Sequence, residues 1–171
     1  MSVTDRRSEF TDYASARRPA LRRLAYALCG DWHAADDIVQ SALARAYVAW
    51  PRIRRGGTED AYVRRTITRL CIDESRRPWR RERAGLEGFD HPARTGLDPG
   101  DRHDLVTALM QLPEMQRRTV VLRHWWGLSV AETADDLRIS EGTVKSHTSR
   151  ALERLHDLMT SSDERTTRST R

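Results

Sequence analysis

The sequence predicts an all-α chain built as two small helical domains joined by a flexible linker. Apolar residues recur at helical spacing on both sides of the chain's middle, strand patterns are almost absent, and a stretch rich in glycine, proline and acids parts the two halves. The 171 residues suffice for one ordinary domain or two small ones. With 38% hydrophobic and 6% aromatic residues, the core is modest and divided.

The first module is expected over residues 10–83, after a disordered start at 1–9, and holds three or four helices. Leu21, Leu24, Ala25 and Leu28 form one apolar stripe, closed by Gly30. Asp31 is placed to cap a second helix that turns Val39, Ala42, Leu43, Ala46 and Trp50 inward and stops at Pro51. Residues 54–57 read as a loop. Val63, Ile67 and Leu70, at i, i+4 and i+7, then mark a third helix, which runs into an Arg-rich stretch broken by Pro78. Over residues 84–102, Gly85, Gly88, Pro92, Gly96, Pro99 and Gly100 interrupt every helix, and Glu87, Asp90, Asp98 and Asp101 outweigh Arg94 and Arg102. This is a flexible acidic linker, whose charge repels DNA.

The second module is expected over residues 103–160, with helices at 103–112 and 114–126 and Pro113 at the start of the latter. Residues 161–171 hold no apolar side chain and read as a disordered tail. Residues 127–150 have the layout of a helix-turn-helix. Ser129 and Glu132 form an S-x-x-E capping box, Ala134 and Leu137 are buried contacts, and Ser140 caps the second helix with Glu141 beside its N-terminal dipole. At about 100° per residue, Val144, Thr148, Ala151 and Leu155 share one side of that helix. Gly142, Lys145, Ser146, Ser149 and Arg150 gather opposite. The first set packs, and the second is small, polar and basic, as a major-groove reader requires.

Two further clusters lie in the first module. Asp36 and Gln40 share a helix face with Asp37 at its edge, a pattern that suits either a solvated face or an acidic docking surface. Downstream, Arg76, Arg77, Arg80, Arg81 and Arg83 surround Trp79, while Arg64, Arg65 and Arg69 extend the positive surface upstream. Arginine neutralises phosphate and an indole can stack on an unpaired base, so the cluster suits single-stranded or distorted DNA.

Composition agrees with an acidic partner. The net charge is +5 and the isoelectric point near 9.8, with Lys145 as the sole lysine. Cys29 and Cys71 have neither disulfide-framework nor zinc spacing, which fits a reducing cytoplasm. No long apolar run and no signal peptide occur, so a soluble protein without membrane insertion is expected. The six histidines lack ligand spacing, and no phosphate loop or nucleophile motif is present, so neither an enzyme nor a cofactor or metal site is expected.

With these motifs in place, the chain resembles the sigma-70 superfamily. A-A-D-D-I-V-Q at residues 34–40 is similar to the region 2 signature A-E-D-L-V-Q, L-P-E-M-Q-R-R at 112–118 to the L-P-x-x-x-R start of region 4, and E-G-T-V-K-S at 141–146 to its recognition helix. The ordered set, with a short linker and no region 1.1 or 3, resembles extracytoplasmic-function sigma factors, most of all the short SigE-like actinobacterial group. That resemblance implies a cytoplasmic factor that directs RNA polymerase core to promoters and helps melt them. It implies that Asp36, Asp37 and Gln40 face the β′ clamp helices. Arg65, Arg69, Asp73, Arg76, Arg77, Trp79 and Arg80 would then melt and read the −10 element. Gly142, Lys145, Ser146, Ser149 and Arg150 would read the −35 element, with their module docked on the β flap. It also admits an anti-sigma protein as partner. Two positions depart from the pattern: Arg69 stands where Asn is common, and Arg138 replaces the usual turn glycine. The alternatives are a free-standing, LuxR-like helix-turn-helix regulator that binds operators as a dimer, and a nuclease using Asp36 and Asp37 with a metal.

Overall fold

The computed structural model describes residues 3–76 and 99–169, with side chains over 5–76 and 105–160. Every regular element among the described residues is a helix, and the chain divides into two compact units, Met1–Leu86 and Glu87–Arg171.

Three helices make the first unit: α1 (Val3–Cys29), α2 (Trp32–Arg55) and α3 (Glu59–Ser75), each packed on the other two. Asp31 caps α2 as expected, its carboxylate accepting from the Ala34 N–H at 2.9 Å. The seam of α2 alternates small and large side chains. Ala35, Ala42 and Ala46 are fully buried, which lets the neighbouring helices approach closely, and Val39 and Trp50 fill the space between.

The start of the chain departs from expectation. Residues 3–9 already belong to α1, and the reason is aromatic. The Phe10 ring lies edge-on to Tyr47 and Trp50 at 5.1 Å, Tyr13 packs on Trp50 at 5.0 Å, and the Arg6 guanidinium sits over Tyr47. The Tyr13 hydroxyl also donates to Asp60 at the start of α3, and Arg17 pairs with the same carboxylate. Burial, then that hydrogen bond, pushes the Tyr13 phenol well above its ordinary range.

Pro51 does not stop α2. It supplies no N–H to the carbonyl one turn back, yet the buried Trp50 and Ile53 on either side hold the helix through Arg55. Gly57, at φ 61, then turns the chain into α3. In α3 the seam runs Val63, Ile67 and Cys71, all fully buried, with Leu70 half-buried at its edge.

The second unit comprises α4 (Pro99–Met110), α5 (Glu114–Val120), a π-helical turn (Val121–Trp125), α6 (Val130–Leu137) and α7 (Glu141–Ser169). Helices α4, α5 and α6 all pack on α7. The linker expected to reach residue 102 gives way to helix at Pro99, because proline at a first helical position loses no hydrogen bond. The single helix expected over 114–126 loosens at Val121, and the Trp126 N–H reaches the Val121 carbonyl five residues back at 3.0 Å. At its other end α7 continues to Ser169, past residue 161, the expected start of a disordered tail. Adding a turn to a helix already more than five turns long is far easier than starting one.

The turn between α6 and α7 is the tightest feature of this unit. Ser129 and Glu132 form the capping box in both directions, at 3.1 and 2.9 Å. Helix α6 ends in a Schellman turn, in which Ile139 N–H donates to the Ala134 carbonyl and Arg138 N–H to that of Asp135. Arg138 thereby takes a left-handed conformation, φ 55 and ψ 48, that disfavours a side chain.

Two outcomes follow. Phe10→Ala should lower the stability of the first unit by about 1–2 kcal/mol in urea denaturation and expose the start of α1 to protease. A disordered start would leave both unchanged. Arg138→Gly should raise the stability of the second unit by about 0.5–1 kcal/mol, because glycine carries no left-handed penalty. A neutral or destabilising result would mean that the Arg138 side chain makes a compensating contact.

Candidate nucleic-acid and partner interfaces

On α2 the buried residues occupy little more than half of the circumference and leave one strip outward. Asp37, Gln40, Ser41, Ala44 and Val48 are exposed along it, Val48 to 81%. The strip centres on Asp37 and Ala44, so the sequence placed the two acids the wrong way round: Asp36, and not Asp37, is at the edge. The reason lies on α1. Arg22 grips Asp36 with two nitrogens, Nε at 2.6 Å and Nη2 at 3.0 Å, and its guanidinium rests 4.4 Å from the Trp32 ring centre. Trp32 stacks in turn on Tyr26 at 3.9 Å. The hydrogen bond from Arg22 holds the Asp36 carboxyl below the usual carboxylate range, and Arg18 and His33 add to the effect.

On α3 the outward face carries Arg65, Arg69, Asp73 and Arg76, at i, i+4, i+8 and i+11. Arg65 and Arg69 are half-buried, and Asp73 and Arg76 exposed. Arg64 does not extend this positive surface. It points about 100° away and is 7% exposed, on the side of Val63 and Ile67. Ile72, which periodicity places at the edge of the face beside Arg65, is half-buried. Arg77, Trp79, Arg80, Arg81 and Arg83 lie outside the described residues.

On α7 both predicted faces are in place. Val144, Ala151 and Leu155 are buried and Thr148 half-buried, whereas Gly142, Lys145, Ser146, Ser149 and Arg150 are all exposed. The Ser140 hydroxyl accepts from the Thr143 N–H at 3.1 Å, capping the helix as expected. A methyl group at Gly142 would meet only the Ser140 oxygen, at 3.8 Å, so nothing inside the unit requires glycine there. The bare backbone is available to something outside. Two exposed apolar side chains went unpredicted, Leu152 one turn beyond Ser149 and Trp125 on the π-helical turn.

The geometry is thus three polar or basic strips, each lying across its helix from a buried seam. Comparison with known proteins gives the strips a context. Residues 14–81 match the family model for sigma-70 region 2, and residues 102–155 that for sigma-70 region 4. The chain is 37% identical over 160 residues to the RNA polymerase sigma-E factor of Streptomyces coelicolor, covering 91% of this chain and 88% of that protein. It is 33% identical over 139 residues to the ECF RNA polymerase sigma factor SigM of Mycobacterium tuberculosis, covering 81% and 71%. Among solved structures it is similar to the sigma factor RpoE of Bartonella quintana, crystallised with the anti-sigma factor NepR. The TM-score is 0.72 and the identity 28%, over 89% of this chain and 97% of that one. The chain belongs to the extracytoplasmic-function group of the sigma-70 family, the RNA polymerase subunits that direct the enzyme to its promoters.

Proposed function

We propose that the three strips divide the work of promoter recognition between them. The α2 strip of Asp37, Gln40, Ser41, Ala44 and Val48 docks on the β′ clamp helices of core RNA polymerase, with Asp36 holding its edge. The α3 face of Arg65, Arg69, Asp73 and Arg76, continued by Arg77, Trp79 and Arg80, receives the melted −10 strand. Gly142, Lys145, Ser146, Ser149 and Arg150 on α7 read the −35 element in the major groove, with their unit seated on the β flap. In this reading the protein works in the cytoplasm, carries out no catalytic step of its own and needs no cofactor. An anti-sigma protein, as in the RpoE–NepR pair, is the partner that would occlude these strips.

The observation that carries this reading is the α7 face. Small and basic side chains are exposed together over two turns, and a glycine that the fold does not need sits at the end that would enter the groove. One such helix with few phosphate contacts binds weakly at physiological salt. A scaffold that holds α3 and α7 at fixed spacing makes the second contact intramolecular, and core polymerase is that scaffold.

Gel shifts with the protein alone and with core enzyme test the division of labour. Specific promoter binding should appear only with core enzyme and largely vanish with Asp37→Arg. Lys145→Ala or Arg150→Ala should weaken binding by roughly 1–3 kcal/mol with helicity intact, since both side chains are exposed. Gly142→Ala should leave thermal stability unchanged or slightly higher and still weaken binding. Trp79→Ala should impair strand opening, read by permanganate reactivity of thymines, more than closed-complex formation. Tight specific binding by the protein alone, indifferent to Asp37, would overturn the reading.

A further inference from the structure

Two adjacent carboxylates at the start of α2 have opposite surroundings. Asp36 is gripped by Arg22 through two hydrogen bonds and lies in the field of Arg18 and His33, which together with Arg22 hold its carboxyl below the ordinary range. Asp37, next along the chain, is exposed and has no ion pair among the described residues. Arg22 is itself fixed. Its guanidinium lies over Trp32, which stacks on the buried Tyr26, so a ladder runs from the core of α1 to the edge of the α2 strip.

An ion pair exposed to this degree contributes little to stability, because water screens both partners. Its consequence is electrostatic. Unpaired, the start of the strip would carry two negative charges, and paired it carries one. Charges at the rim of an interface chiefly set the salt dependence and the rate of association.

We infer that Arg22 is a charge-setting and positioning residue of the polymerase-docking strip, acting through Asp36 so that Asp37 alone presents an uncompensated carboxylate there. The inference rests on the proposed docking role of that strip. Lysine could supply the charge of Arg22, but neither its two-pronged geometry nor its stacking. A strip held at one charge then has its affinity for core set in part by a residue outside the contact.

The test measures the dissociation constant of the full chain for core RNA polymerase at low and high salt, by competition against a labelled parent chain, with thermal melts as the check on folding. Asp37→Asn should flatten the salt dependence. Arg22→Gln should steepen it, raising the ratio of the two constants by about two- to five-fold as Asp36 is unmasked. The pair removal Arg22→Gln with Asp36→Asn should restore the parental salt dependence, since it deletes one charge of each sign. Arg22→Lys keeps the charge and should keep the parental dependence. Arg22→Met, which loses the charge but keeps an apolar stem against Trp32, should steepen it as Arg22→Gln does and carries the test if Arg22→Gln fails to fold. A pair removal that flattens the salt dependence as Asp37→Asn does would show Asp36 touching the polymerase directly. An Arg22→Gln variant that folds with no steepening would overturn the inference equally. If Asp37→Asn itself changes nothing, the docking role of the strip is what fails.

Discussion

Each of the central helices buries only one side, and both units depend on what that leaves uncovered. In the first unit, α2 is enclosed by α1 and α3 over little more than half its circumference, through Ala35, Val39, Ala42, Ala46 and Trp50. In the second, α7 is the helix on which α4, α5 and α6 all pack, and it gives them Val144, Ala151 and Leu155. The uncovered strip of each helix is therefore held by the core itself. Side chains on it need no loop to position them, and rigid elements place contacting groups more accurately than loops do.

The two strips differ in chemistry, as the proposed division between a protein and a nucleic-acid partner requires. That of α2 combines one carboxylate with an amide, a hydroxyl and the apolar Ala44 and Val48, a surface for another protein. That of α7 is hydroxyls, a bare glycine and two cations, which suits a groove lined with base edges and phosphate.

Much of this was legible in the sequence wherever the signal is local. The capping box at Ser129 and Glu132, the cap at Asp31 and the two faces of α7 depend on residues within a few turns, and periodicity resolves them. The left-handed Arg138 was legible as a departure from a glycine pattern. Features set by distant contacts were not. Nothing near Asp36 announces Arg22 on another helix, and local charge alone put Arg64 on the surface although α3 turns it inward. Phe10 and Tyr13 order the start of α1 only because Tyr47 and Trp50 wait on α2. Pro51 reads as a helix stop until the burial of Trp50 and Ile53 outweighs its missing hydrogen bond. Val48 is apolar yet faces out, which hydrophobic periodicity cannot represent.

Transcription from a randomised promoter library, with core polymerase and either the parent chain or Lys145→Ala, tests the account most directly. The active templates should share two sequence blocks at one fixed spacing, near −35 and −10. Lys145→Ala should degrade the upstream block alone if, as proposed, α7 reads it and α3, in a separate unit, does not. A single inverted repeat, or two blocks that degrade together, would contradict the assignment of one element to each unit.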